Sequence, residues 1–200
     1  MENLPPKQPD VAVYITHSPP RKRKVIDVEK EADGKTRFET FDKGKIHLDK
    51  IERLLRFAKR NNLPVFWERM HETTDEPALG ELLQKTGFKK DEIVFCHGSP
   101  EDIRRMAETR KIRPKRVLIA GFYGEWCCNL AANALASAFP KAELIAIKGD
   151  FNLSMMVNYH KGQTVAREKQ LVEEYRKSLK ESQAGMGIKT RKLTRALLRR

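Results

Sequence analysis

Short runs of β-branched and aromatic residues alternate with helical patterns along most of this chain, and that alternation constrains its fold more than any other feature. The β-rich runs fall at residues 11–16, 64–70, 92–96, 116–121 and 142–148. Strands separated by helices must be joined by crossovers, which predicts stacked βα units and a mostly parallel sheet. The expected fold class is therefore α/β: a three-layer, Rossmann-like domain with about five or six strands. Between the strands, Ile51, Leu54, Leu55 and Ala58 form one apolar stripe on a helix predicted over 46–60, stopped by Asn61-Asn62 before Pro64. A shorter helix fits 76–85, closed by Gly87. Ser99-Pro100-Glu101-Asp102 is a helix start: a capping serine, proline at the first helical position, then acids at the positive end of the dipole. That helix is expected to run to about residue 111 and to bury Ile103, Met106 and Ala107. Leu130, Ala131, Ala134, Leu135 and Ala138 mark a small-faced helix, and Leu171, Val172, Tyr175 and Leu179 a long amphipathic one.

Residues 17–45 break the alternation, being polar, charged and punctuated by Pro and Gly. They read as an exposed arm or hairpin, with 25–28 pairing 37–41. The expected organisation is a free N-terminus over 1–10, an α/β domain over 11–185 and a basic C-terminal extension over 186–200. Residues 149–161 form a long irregular connection of the kind that often covers an active site.

Charge narrows the list of partners. The 200 residues carry a net charge of +13, and those from 161 onward hold twelve basic and four acidic groups. Such a balance favours acidic partners, whether protein or nucleic acid, without selecting among them. Two segments concentrate it. Residues 20–25, with Arg21, Lys22, Arg23 and Lys24, are similar to a nuclear-import string, although a solvated loop gives the same pattern. Residues 189–200 can be written as a helix that exposes Lys192, Arg195 and Arg199 to a polyanion, or as a solubilising end. No aromatic residues interleave with these charges, so base stacking is not indicated. No apolar run approaches the roughly 20 residues that span a bilayer, and the first ten residues lack an apolar signal core. Three cysteines, two of them adjacent, make no disulfide framework. An intracellular, cytoplasmic protein with reduced thiols is expected, nuclear if the 20–25 string is read by an import receptor, with no membrane contact and a homo-oligomer compatible with the size.

The most informative stretch runs from Arg116 to Ala134. A buried strand ends at Gly121, a short turn follows, and a helix begins near Trp126 or Cys127. A cysteine in the first turn of a helix meets free backbone N–H groups and the positive dipole end, both of which favour thiolate. Small buried cysteines give the same sequence without any chemistry. With Glu125-Trp126-Cys127-Cys128 and Ala131-Ala132, this stretch resembles the isochorismatase-like cysteine hydrolases, the superfamily of nicotinamidases and N-carbamoylsarcosine amidohydrolases. The passages 47–70 and 103–119 are similar to the family's first helix and second strand, and to the elements leading into its cysteine turn. The resemblance covers about residues 10–150.

It implies Cys127 as the nucleophile and a cis peptide between Phe122 and Tyr123. The backbone N–H groups of Tyr123 and Cys127 would then hold the oxyanion. It also exposes two departures. The family's general-base Asp after the first strand reads Thr16 here, and its Lys after the third reads Cys96. Each is followed by a histidine, His17 and His97, which are the local candidates for a replacement base. Neither is expected within about 3.5 Å of the Cys127 sulfur, because a residue just past a strand end faces solvent as readily as a pocket. At the family's metal position the chain offers only Glu68 and His71, so no metal is expected, and the absence of phosphate-binding glycine loops predicts no nucleotide cofactor. Two functions follow. One is a divergent cysteine hydrolase acting on a small amide or related carbonyl compound, of low or lost activity. The other is an inactive member of the fold that serves as a binding or scaffold protein for an acidic partner or nucleic acid.

Overall fold

The computed structural model describes residues 10–16, 29–30, 36–37, 42–69, 76–121, 127–147, 158–159, 177, 180–181 and 183–198. Six strands form one sheet: β1 (Val11–Thr16), β4 (Val65–Glu68), β5 (Ile93–Cys96), β6 (Arg116–Gly121), β7 (Glu143–Ile147) and β9 (Lys189–Arg191). Every pairing in it is parallel, and the spatial order is β5-β4-β1-β6-β7-β9. The chain thus builds one half of the sheet outward from β1 through β4 to β5. It then returns to the other side of β1 and builds β6, β7 and β9. That reversal is the topological switch point of a doubly wound fold, and in such sheets ligand sites form at the C-terminal ends of the strands flanking it, here β1 and β6.

All six residues of β1 are buried, as a central strand covered on both faces requires. Its alternate side chains divide the core in two. Val11, Val13 and Ile15 join the cluster under α1 (Asp42–Arg60) and α2 (Glu76–Thr86). Ala12 and Tyr14 join the cluster under α3 (Pro100–Thr109) and α4 (Cys127–Ala138). Ile51, Leu54, Leu55 and Ala58 are at most 3% exposed, which accounts for the stripe seen in the sequence. The Ser99 hydroxyl caps α3 by accepting from the Asp102 amide at 3.1 Å.

Four expectations are corrected. α1 begins at Asp42, four residues earlier than predicted, so the arm is shorter. The arm's hairpin pairs β2 (Glu29–Lys30) with β3 (Thr36–Arg37) rather than 25–28 with 37–41. β3 also pairs β8 (Asn158–Tyr159), which lies in the stretch expected to be irregular. Leu130 is 64% exposed, because Ala131, Ala134, Leu135 and Ala138 already complete the inward stripe and Leu130 sits about 90° from its centre, beyond the Ala134 edge.

The C-terminus departs most from its expected form. Residues 189–191 are the sixth strand instead of a helical extension, so the sheet continues past the boundary expected at 185. Ile188 is buried beside exposed Lys189 and Arg191 at the edge strand, while Arg195–Leu198 keep one short helical turn that buries Leu197, with Leu193 and Leu198 packed on the same cluster. The segment is tied back by charge. Lys189 Nζ and Arg116 Nε each donate to Glu143 at 2.7 Å, and Arg116 Nη1 donates to the Leu197 carbonyl at 2.6 Å. The amphipathic helix expected around 171–179 falls mainly outside the described residues. No helix among the described residues is long and apolar enough to cross a membrane.

Candidate functional site

The register of the strands brings four residues to one row at the C-terminal edge of the sheet. Thr16 aligns with Gly121 across β1 and β6, and Glu68 with Cys96 across β4 and β5. Tyr14 aligns with Phe66, so its long side chain reaches one pleat further to Glu68. The pleat alternation sends Tyr14, Thr16, Glu68 and Cys96 to one face, the face covered by α3 and α4.

Backbone packing in this row is tight. A Cβ on Gly121 would overlap the Thr16 hydroxyl and lie 2.6 Å from the Thr16 carbonyl oxygen. Gly98, with φ +80°, backs onto the Glu68 carboxylate, and a Cβ there would come within 2.5 Å of Oε1. In both places glycine is what lets main chain approach a polar side chain this closely.

A short chain of hydrogen bonds runs through the row. The Cys96 thiol donates to the Tyr14 hydroxyl at 3.8 Å, and that hydroxyl donates to Glu68 Oε2 at 3.4 Å. Burial disfavours the charged form of each group. It pushes the Cys96 thiol up to about 11, so Cys96 is a neutral thiol at physiological pH. Burial, with Cys96 and Glu68 alongside, drives the Tyr14 phenol above its ordinary range. Burial also raises the Glu68 carboxyl, and the Tyr14 hydrogen bond opposes that rise. Next to Glu68, the Arg69 guanidinium stacks 4.3 Å from the Phe95 ring centroid, and the Arg69 amide donates to the Cys96 carbonyl at 2.9 Å.

The residues singled out in the sequence fall around this row. Thr16 and Cys96 end β1 and β5 as expected, and both are buried. Cys127 is the first residue of α4, the helix that follows β6. Since β6 is parallel to the rest, the start of α4 lies at the same edge of the sheet, and α4 packs on the same face as Glu68 and Thr16. His97 is exposed, and its amide donates to Asp102 Oδ2 at 2.7 Å. Lys192 and Arg195 are exposed. His17, His71, Tyr123, the Phe122–Tyr123 peptide, Arg21, Lys22, Arg23, Lys24 and Arg199 lie outside the described residues. No group of three His, Cys, Asp or Glu side chains suited to a metal ion occurs among the described residues.

In the sequence Glu68 stands out only as a residue at the family's metal position, and Tyr14 only as part of a strand. Their pairing depends on register across β1 and β4, and linear spacing carries no signal of it.

No family model matches the chain, and no curated protein matches it. Among solved structures it is similar to the N-carbamoylsarcosine amidase from Thermoplasma acidophilum, at 10% identity and a TM-score of 0.44. That match covers 90% of this chain and 95% of the amidase. The α/β class stands on the sheet itself.

Proposed function

We propose that this protein is a thiol-dependent hydrolase of a small amide or related carbonyl compound, with Cys127 as nucleophile and Glu68 as proton acceptor. The observation that carries the reading is a half-buried carboxyl at the C-terminal edge of the sheet, on the face packed by the helix that Cys127 opens. It supplies the acid that Thr16 lacks, one strand over from where the family resemblance puts it.

In the proposed cycle the Cys127 thiol gives its proton to Glu68, and the thiolate adds to the carbonyl carbon. Backbone N–H groups at the start of α4 hold the oxyanion. Collapse expels the amine, which takes the proton from Glu68 and leaves a thioester on Cys127. Water then attacks the thioester, giving one proton back to Glu68, and the carboxylic acid leaves as Cys127 regains its thiol. A carboxyl raised by burial is a stronger base than an exposed one, which narrows its gap to the thiol. Cys96 does not compete, since its thiol is held neutral.

Acyl transfer from small activated esters, followed by intact-protein mass spectrometry, tests this. An acyl adduct on wild type that maps to Cys127 is expected. It should vanish in Cys127→Ala and form on the order of 10²-fold more slowly in Glu68→Gln. Iodoacetamide mapping should find Cys127 alkylated faster than Cys96 at neutral pH. An adduct on any other residue, or none, sinks the hydrolase.

A second reading has its own observation. Thr16 and Cys96 leave the row without the charged pair that the resemblance implies, which suits a catalytically silent binding protein. Absence of any acyl adduct, together with retained binding of a polyanion, selects it.

A further inference from the structure

The opposite, N-terminal edge of the sheet holds a groove of about 340 Å³ that the hydrolase reading does not use. It lies where α1 and α3 end and β4 and β5 begin. Leu63, Phe88 and Ile112 give it an apolar floor, and Lys59, Arg110 and Lys111 stand at its rim. Its volume falls at the small end of the roughly 300–1,000 Å³ typical of ligand sites, which admits one ring-sized body.

The rim charges are not equivalent. Lys59 Nζ is occupied, 2.7 Å from the Glu92 carboxylate and 5.0 Å from the Phe88 ring centroid. Glu92 is the one acid in the lining, and its pairing with Lys59 cancels it. Arg110 and Lys111 make no ion pair or side-chain hydrogen bond among the described residues, so the groove keeps two positive charges. The C-terminal dipoles of α1 and α3 oppose them with partial negative charge. Two carbonyls in those last turns, of Ala58 and Ala107, are engaged by the Leu63 and Ile112 amides at 2.9 and 2.8 Å, which leaves the side-chain charges to decide the sign at the rim.

Backbone conformation sets where the rim side chains stand. Asn62 and Lys111 are the non-glycine residues with positive φ among the described residues, at +51° and +55°, and both line this groove. Asparagine tolerates that conformation, whereas lysine is disfavoured in it and glycine is the usual residue after a helix. A long cationic side chain therefore stands where the backbone would be more comfortable without one. Asn62 and Lys111 both close Schellman caps, their amides bonding to the Lys59 and Glu108 carbonyls at 3.2 and 2.9 Å, so ending each helix is what fixes the left-handed turn that holds Lys111 at the groove.

We infer that this groove is a binding site for a small organic anion, a carboxylate on a single-ring apolar body. Arg110 and Lys111 take the carboxylate, and Leu63, Phe88 and Ile112 take the ring. Because it lies at the other end of the strands from Glu68, it stands or falls independently of the hydrolase.

Titrations of the full-length protein with benzoate, benzyl alcohol and benzylamine, followed by amide NMR shifts, test the inference. Benzoate should move the amides of Leu63, Phe88 and Ile112, with affinity at least about fivefold above benzyl alcohol and with benzylamine weakest. Lys111→Gly suits its backbone conformation and keeps the fold, and with Arg110→Gln it should lower benzoate affinity to that of benzyl alcohol. Benzoate binding no tighter than benzyl alcohol overturns the site. So do shifts confined to the Glu68 end, or affinity unchanged in the double variant.

Discussion

At the C-terminal ends of the strands, burial raises the Glu68 carboxyl, with a tyrosine and a thiol as its neighbours. At the N-terminal ends, hydrogen bonds from Lys189 and Arg116 hold Glu143 below the ordinary carboxylate range, and those from Lys59 and the Lys89 amide do the same for Glu92. The same strands thus carry carboxylates whose environments push them in opposite directions. One end surrenders stability to hold polar groups out of water. The other pairs its charges near the surface, where they contribute little and are screened. At the C-terminal edge charge is disfavoured and geometry enforced, the kind of environment in which functional groups are often found.

The largest test of this contrast uses two glycines. Gly121→Ala forces a methyl group into Thr16 and should cost at least about 3 kcal/mol in urea unfolding. Gly87 lies toward the opposite edge, with φ +74° and open space around it, so Gly87→Ala should cost only about 1 kcal/mol through backbone strain. Equal costs would mean that β1 and β6 can part to admit a side chain, and that the row is not tightly enforced.

A smaller effect is expected at Tyr14. Tyr14→Phe removes the donor to Glu68 and the acceptor for the Cys96 thiol, at about 1–2 kcal/mol. That hydrogen bond opposes the rise of the carboxyl, so its loss should raise the Glu68 pKa further, as ¹³C NMR of the carboxyl would register. An unchanged Glu68 titration would disconnect the two residues.

How much of this contrast is legible in the sequence depends on how local its causes are. Five strands are visible because each is an apolar run, and the α3 start because Ser99 and Pro100 act within one turn. β9 is hidden because Lys-Thr-Arg has no apolar residue; it becomes a strand only when β7 offers an open edge and Glu143 a counter-charge. The site divides in the same way. Thr16, Cys96 and Cys127 are legible as positions at element ends, but the Glu68–Tyr14 contact joins residues 54 apart and needs the register of β4 on β1. The groove joins the ends of α1 and α3 to the segment before β5 and is equally invisible to spacing.

At the N-terminal edge, Lys111→Gly should gain roughly 0.5–1 kcal/mol by relieving a left-handed lysine, while weakening benzoate. A stabilising substitution at the exposed edge would contrast with the losses expected in the Thr16 row. Destabilisation instead would show that the lysine side chain holds the helix end.

The subtlest distinction lies in the pH dependence of stability. Glu68 has a folded pKa above its unfolded value, so the folded state binds the proton more tightly. Its contribution is full below the unfolded pKa and is lost as pH rises through the folded one. Glu143 has a folded pKa below its unfolded value, so its contribution is present above the unfolded pKa and is lost as pH falls through the folded one. Glu68→Gln should therefore gain stability relative to wild type as pH rises from acid to neutral. Over the same range Glu143→Gln should lose it, by only about 0.5 kcal/mol because Glu143 is partly exposed. Urea midpoints of the three proteins across that range give two difference curves of opposite slope. Parallel curves would mean that the two ends hold their carboxylates alike, and Glu68 would lose its claim to be the base.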